Sequence, residues 1–274
     1  MLKNNMTMEI NLKNKVALVT GGSKGIGRGA AEALSAAGAT VVICARNEKE
    51  LQTTAHEISA KTGNKVIPIP TDVTSQSDVA QLLVRAKQDA GDIDILVNNA
   101  GGIGQTGAFE EIDEEIYSQL YDLNVVSMVR LMKAVLPAMK QKRWGRIINI
   151  SSENGLQPYP DMIPYDLTKA AIINLSKAVS KAVGQYNILV NTVSPAFIAT
   201  PLVEGMMEAQ ARSKGITKEA AEREFLQQNR PDIVLQRPGT IAEVGAAVVF
   251  LASEQASFIT GTNLRVDGGS VASI

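Results

Sequence analysis

The chain has 274 residues, 45% of them hydrophobic and 20% charged, enough for one large domain or two small ones of ordinary globular character. A formal net charge of −1 gives no basic excess for nucleic acid, and Met1 to Lys15 holds no continuous apolar run that would read as a leader or membrane anchor. The one cysteine, Cys44, and the one histidine, His56, leave no internal disulfide, cysteine-rich zinc site, Ser-His-Asp triad or multi-histidine metal centre, and fit a reducing, cytoplasmic setting.

Residues 1–12 read as a frayed extension, and residues 13–274 as a single domain without repeats or low-complexity linkers. The first strand is expected at Val16 to Thr20. It runs into Thr20-Gly21-Gly22-Ser23-Lys24-Gly25-Ile26-Gly27, which opens a helix continuing through Ala36. Glycines at that place allow a tight turn, close approach of the backbone to a pyrophosphate, and close packing of helix on strand. The helix N-terminus offers oriented N–H groups to the anion. Strand, glycine turn and helix together read as a dinucleotide site formed by Gly21, Ser23, Lys24, Gly25, Ile26 and Gly27.

A second strand at Thr40 to Cys44 ends in Ala45-Arg46, where a carboxylate would hydrogen-bond the adenosine ribose and repel a 2′-phosphate. With no acid there, and with Arg46 and Lys24 as cations, NADP(H) is preferred and NAD(H) is the alternative. His56 lies in a polar helical stretch and reads as exposed. The third strand, Lys65 to Ile69, carries Pro68, and Pro70 follows it. Each lacks the N–H that a ladder requires, so the strand belongs at an edge, where an order of 3-2-1-4-5-6 places it. After it come Asp72 and Val73; Asp72 is a candidate for the adenine amino group or equally for a cap on the next helix.

Further strands are expected at Ile93 to Val97, Arg146 to Ile150, Ile188 to Val193 and Leu264 to Val266, separated by helical patterns. The rhythm predicts an α/β fold: one doubly wound Rossmann-type domain, with a mainly parallel seven-stranded sheet and helices on both faces. Tyr165 and Lys169 sit four residues apart on a long helix, hence on one face, with Ser152 thirteen residues upstream at a strand end. A phenol ordinarily titrates near ~10. An ammonium beside it favours the phenolate and brings it towards the range of acid–base work, and Ser152 would hold the substrate oxygen. The stretch 197–239, rich in Met, Gln, Glu and Arg, is long for a connection and reads as a substrate-covering lid.

From about Lys13 to Gly269 these features resemble the short-chain dehydrogenase/reductase family. Thr20 to Gly27 is similar to its Thr-Gly-x-x-x-Gly-x-Gly turn, Asn98-Asn-Ala-Gly101 to its Asn-Asn-Ala-Gly segment, and Tyr165 with Lys169 to its Tyr-x-x-x-Lys pair. The resemblance implies hydride transfer between a nicotinamide cofactor and a carbonyl or secondary alcohol, with no metal. Tyr165 would be the acid–base, Ser152 would orient the carbonyl, and Lys169 would hold the nicotinamide ribose and lower the pKa of Tyr165. Asn124 would anchor a relay water. Asn98, Ala100, Gly101, Pro195, Ile198 and Thr200 would complete the cofactor contacts, with Thr200 on the carboxamide.

Each role has a plainer rival: Asn124 as a satisfied polar residue in an apolar helix, Ser152 as a cap. Ala196 stands where the family usually has glycine, and Leu167 and Thr168 replace more frequent small residues, which predicts tighter packing around Tyr165. Overall the chain is similar to 3-oxoacyl-[acyl-carrier-protein] reductases. Those carry basic residues on two neighbouring helices for the acidic carrier; Arg130 matches one place, whereas Tyr186 occupies the other. Glu153, Asn154, Gln157 and Tyr159 are expected to rim the site, which makes a sugar, polyol or hydroxyketone plausible. The resemblance also implies a homotetramer or dimer paired through the helices of Asn124 and Tyr165. A non-catalytic NADP-binding regulator on the same fold is the remaining alternative.

Overall fold

A computed structural model of the chain describes residues 10–273. Seven strands form one sheet in the order β3-β2-β1-β4-β5-β6-β7, and every pairing is parallel. They are β1 (Val16–Thr20), β2 (Thr40–Ala45), β3 (Val66–Pro70), β4 (Ile95–Asn98), β5 (Gly145–Ile150), β6 (Ile188–Pro195) and β7 (Asn263–Val266). Between them run α1 (Gly25–Ala36), α2 (Glu48–Thr62), α3 (Gln76–Asp89), α4 (Glu114–Tyr121), α5 (Ser127–Lys142) and α6 (Ile163–Val183). The connection from β6 to β7 holds α7 (Pro201–Lys214), α8 (Lys218–Asn229) and α9 (Ile241–Ala252).

The two-residue period of a strand sorts side chains to opposite faces. Ala17 and Val19 of β1 join a core with Ala30, Leu34, Val244 and Val248 of α1 and α9. Leu18 joins the other, with Leu82, Leu131 and Ile172 of α3, α5 and α6. Both cores are built from strands whose residues are nearly all buried, as a sheet covered on both faces requires.

The edge position expected for the proline-bearing strand is observed, with bounds one residue later, Val66–Pro70 in place of Lys65 to Ile69. Thr71 N–H donates to Ala45 O at 3.0 Å, so alternation turns the nitrogens of Pro68 and Pro70 away from β2 towards the open edge. The boundary of the N-terminal extension needs correction. Residues 1–9 lie outside the described residues, but Leu12 is 2% exposed and its N–H bonds Ala37 O at 2.8 Å, so the domain begins before residue 13.

The stretch 197–239 has structure of its own. Ile198 and Gly239 form a parallel bridge that closes its base, and Phe197, Met207, Leu226 and Ile233 make a small separate core beneath α7 and α8. Phe197 stacks on Phe225 with ring centroids 4.8 Å apart. No helix among the described residues is long and apolar enough to cross a membrane.

Candidate active site

The C-terminal ends of the parallel strands carry the loops that meet above the sheet, and the order reverses between β1 and β4, where open α/β sheets bind ligands. The glycine turn lies there. Gly21 has φ +63°, a conformation that glycine adopts without strain. A Cβ on Gly27 would lie 2.2 Å from Gly21 O, so α1 reaches this close only with glycine. Helix α1 begins at Lys24 with no side chain accepting its first N–H groups, as α4 and α6 also do, whereas α2, α3, α7, α8 and α9 are capped. Its first N–H groups are therefore available to an anion, which fits the diphosphate of a dinucleotide.

Asn99, which the sequence reading passed over, holds the turn: its Nδ2 donates to Thr20 O at 2.9 Å and to Gly21 O at 3.3 Å. Thr20 Oγ1 accepts from the N–H groups of Asn99 and Ala100, both at 2.9 Å. The side chain of Asn98, by contrast, points to neighbouring β5, donating to Asn149 Oδ1 at 2.8 Å, and is 1% exposed. Its side chain ties the central strands together, so a contact of Asn98 with the cofactor would fall to its backbone. Val73 is buried in the core, and Asp72 accepts from Thr74 N–H and Oγ1 at 2.9 and 2.7 Å, which with the Arg46 charge holds its carboxyl below the usual range. Ser75, not Asp72, caps α3.

Near the second strand's end an acid does appear. Glu50, in the first turn of α2, accepts from Ser23 Oγ at 2.8 Å and lies 3.7 Å from Lys24 Nζ. It comes from the turn after β2, not from the strand end where an acid was sought. Ser23, Lys24 and Glu50 line a groove with a volume of about 470 Å³; Asn47 is on its wall, and the exposed Arg46 precedes it in the chain. At the other end, Thr200 caps α7, and Gly25 faces its methyl group, so the glycine turn and the Pro195–Thr200 loop adjoin. Ala196 does not take a positive φ, so the glycine usual there is not needed.

Ser152, Tyr165 and Lys169 converge beyond the end of β5. Lys169 is 5% exposed; its Nζ donates to Ile150 O at 3.1 Å and lies 5.3 Å from the Tyr165 ring centroid. Ser152 Oγ donates to Asn154 Oδ1 at 3.0 Å, and its hydroxyl lies near enough to the Tyr165 phenol to favour the phenolate. Asn154 Nδ2 in turn donates to Asp166 Oδ1 at 2.7 Å, which fixes the amide that orients Ser152. Asn124 lies in a π-helical turn, Asp122–Val126, between α4 and α5. Its Oδ1 accepts Gly102 N–H at 2.8 Å, while Nδ2 donates to Gly102 O at 2.9 Å and to Thr168 Oγ1 at 3.0 Å. Thr168 thus packs in as expected and links the two helices. Leu167 does not: it is 56% exposed.

The electrostatics differ from expectation. Burial pushes the Tyr165 phenol up to about 12, opposed by the Ser152 hydrogen bond and reinforced by the Asp166 and Glu153 charges. Burial also brings Lys169 down to about 8, so burial, rather than the charge of Lys169, governs the phenol here. A lysine that titrates near 10.5 when unfolded and about 8 when folded is protonated in both states below 8, where its burial cost is complete. Between those values the unfolded chain binds more protons, so this cost falls as pH rises. Lys169→Met is therefore expected to raise the Tm of the ligand-free protein near pH 7. The gain should shrink by about pH 9.5. Thermal melts of both proteins at the two values check this; a gain that does not change with pH counts against it.

The comparisons agree with this geometry. A family described as Enoyl-(Acyl carrier protein) reductase matches residues 21–271. The uncharacterized oxidoreductase YvrD of Bacillus subtilis (strain 168) is 37% identical over 267 residues, 97% of this chain and 100% of that protein. The 3-oxoacyl-[acyl-carrier-protein] reductase FabG of Haemophilus influenzae is 39% identical over 258 residues, 94% of this chain and 98% of its own. Among solved structures, L-sorbose reductase from Gluconobacter frateurii complexed with NADPH and L-sorbose aligns with a TM-score of 0.91 at 30% identity, covering 97% of this chain and 100% of that one. With the all-parallel sheet, these matches show that the chain belongs to the short-chain dehydrogenase/reductase family and is an NAD(P)-dependent oxidoreductase.

Proposed function

We propose that the protein is an NADP(H)-preferring reductase of a small-molecule carbonyl, or dehydrogenase of the corresponding secondary alcohol, with Tyr165 as its acid–base. The observation that carries this reading is the convergence of the Ser152 hydroxyl, the Tyr165 phenol and the Lys169 ammonium beyond β5. The glycine turn and α1 N-terminus would hold the diphosphate, Arg46 and Lys24 the 2′-phosphate, Lys169 the nicotinamide ribose, and the loop of Pro195, Ile198 and Thr200 the carboxamide. Asp72 and Val73 lie on the adenine side. When bound, the cofactor supplies or accepts the hydride.

The chain's own residues then manage the oxygen. Tyr165, kept neutral by burial, gives its proton to the developing alkoxide, and Ser152 stabilises that oxygen with a hydrogen bond. Ile150 O is the sole hydrogen-bond acceptor of the Lys169 ammonium among the described residues, which leaves N–H groups for ribose hydroxyls. Asn124, locked by Gly102 and Thr168, holds its π turn in place to anchor a relay water. Residues 197–239 cover the substrate as a lid, and the chain assembles as a homotetramer through α5 and α6.

Reduction of a 3-oxoacyl group borne on acyl carrier protein is the second reading, supported by 39% identity to FabG. Against it stands Arg130, the basic residue matched to carrier recognition, which is paired with Asp122 at 2.6 Å. NADPH and NADH oxidation by the purified protein against β-ketoacyl thioesters, sugars and diketones decides between them. NADPH is expected to be the better donor, and Arg46→Glu to reduce the NADPH-to-NADH ratio of kcat/KM by about 100-fold, since a charge-assisted phosphate contact becomes repulsion. An unmoved ratio would take Arg46 out of the phosphate site.

A further inference from the structure

Beside Ser152 stands a charged cluster that the proton and hydride steps do not use. Glu153 follows Ser152 in a short turn and is 2% exposed. Its Oε1 accepts the Tyr159 hydroxyl at 3.1 Å and lies 3.5 Å from Nε of Arg230, which reaches in from the end of α8. The Arg230 guanidinium is stacked 3.9 Å from the Tyr159 ring centroid. Glu153 Oε2 is buried and completes no hydrogen bond among the described residues, and the same is true of Ser270 Oγ, although that hydroxyl is near enough to ease the carboxylate's burial.

A buried carboxylate oxygen without a donor is costly, and a substrate donor would remove that cost. Glu153 and Asp166 both act on the Tyr165 phenol, which places their charges within range of the reacting oxygen. Burial pushes both carboxyls up, opposed by the Arg230 charge; counting Asp161 and Asp267, which also act on them, four carboxyl groups face the two cations Arg230 and Lys169, so acids outnumber bases around the cluster. It repels a carboxylate or phosphate on the substrate and accepts from hydroxyl groups.

Resting on the reductase reading above, we propose that Glu153 is a specificity-determining residue for a neutral, hydroxyl-bearing carbonyl substrate, a hydroxyketone or ketose. The hydroxyl adjacent to the carbonyl donates to Oε2, and Arg230 with Tyr159 fixes the carboxylate that receives it. The segment carrying α8 thereby contributes to substrate selection through Arg230.

Steady-state kinetics of the intact protein with NADPH and three ketones of one carbon skeleton test this: 1-hydroxy-2-butanone, 2-butanone and 2-oxobutanoate. The hydroxyketone is expected to have the highest kcat/KM and the anion the lowest. Glu153→Gln is expected to reduce the ratio of hydroxyketone to butanone by about tenfold or more, because the amide loses the charged acceptor. A merely structural role would lower both substrates together, and an unmoved ratio overturns the inference. If that variant does not fold, Arg230→Lys, which loses the stacking and the fixed fork, should shift the same ratio in the same direction; no shift again overturns it. Reduction of butanone or a β-ketoacyl thioester with no advantage for the hydroxyketone defeats the inference and leaves the reductase reading intact. NADPH binding without turnover of any carbonyl defeats both.

Discussion

Tyr165→Phe is expected to lower kcat for carbonyl reduction by about 10²–10⁴-fold, the contribution of a positioned proton donor. Phenylalanine keeps the ring beside Lys169, 5.3 Å from Nζ, so the pocket that receives the ribose stays filled. What goes is the O–H that meets Ser152. Because burial raises the phenol to about 12, Tyr165 enters the reaction protonated at neutral pH, the form that reduction needs. NADPH affinity, read by cofactor fluorescence, should change little, and single-turnover measurements should place the loss in the chemical step. Equal turnover in the two proteins would remove Tyr165 from the proton transfer.

Gly27→Ala should be the more damaging change at the other end of the site. In an ordinary helix the substitution favours folding by up to about 1 kcal/mol. Here the new methyl carbon would lie 2.2 Å from Gly21 O and 2.4 Å from Asn99 Nδ2, and neither atom is free to move. The first is backbone within the glycine turn; the second is bonded to Thr20 O and Gly21 O. Relief comes only by tilting α1 or opening the turn, which misplaces the N–H groups meant for the diphosphate. A stability loss of about 3 kcal/mol is expected, at the upper end for overpacking. NADPH affinity should fall with it by about 100-fold, as the anion's donors are displaced. Gly205→Ala in α7 is the control: nothing lies within 4 Å of its Cβ position, and this change should stabilise slightly. Calorimetry and cofactor titration on both proteins check the pair; a Gly27→Ala protein that binds NADPH normally contradicts the close approach.

Local spacing made much of this molecule legible. The strand runs, the glycine turn, the proline-bearing edge and the Tyr165–Lys169 face each follow from periods of 2 and 3.6 residues, which a sequence displays directly. What sequence could not display were contacts between distant segments. Arg230 meets Glu153 only because α8 folds over its own small core and points its end back to β5. Glu50 was visible as a residue but not as a partner of Lys24, since the turn from β2 into α2 decides where it arrives. The motif Asn98–Asn99 offers a finer case. Asn98 is the last residue of β4 and Asn99 begins the loop after it, so one asparagine serves the sheet and the next serves the turn. The pKa values failed for another reason: spacing gives a neighbour's charge, whereas burial depends on the whole fold.

The prolines of β3 have a consequence beyond their own strand. On the outward side of β3 the possible donors are residues 66, 68 and 70. Pro68 and Pro70 have no N–H, and Val66 N–H is already given to Ser59 Oγ of α2 at 3.1 Å. An extended segment arriving at this border would find carbonyl acceptors and not one matching donor, so it could not continue the ladder. The sheet is thereby closed to growth on one side by two missing hydrogens and one that is already engaged.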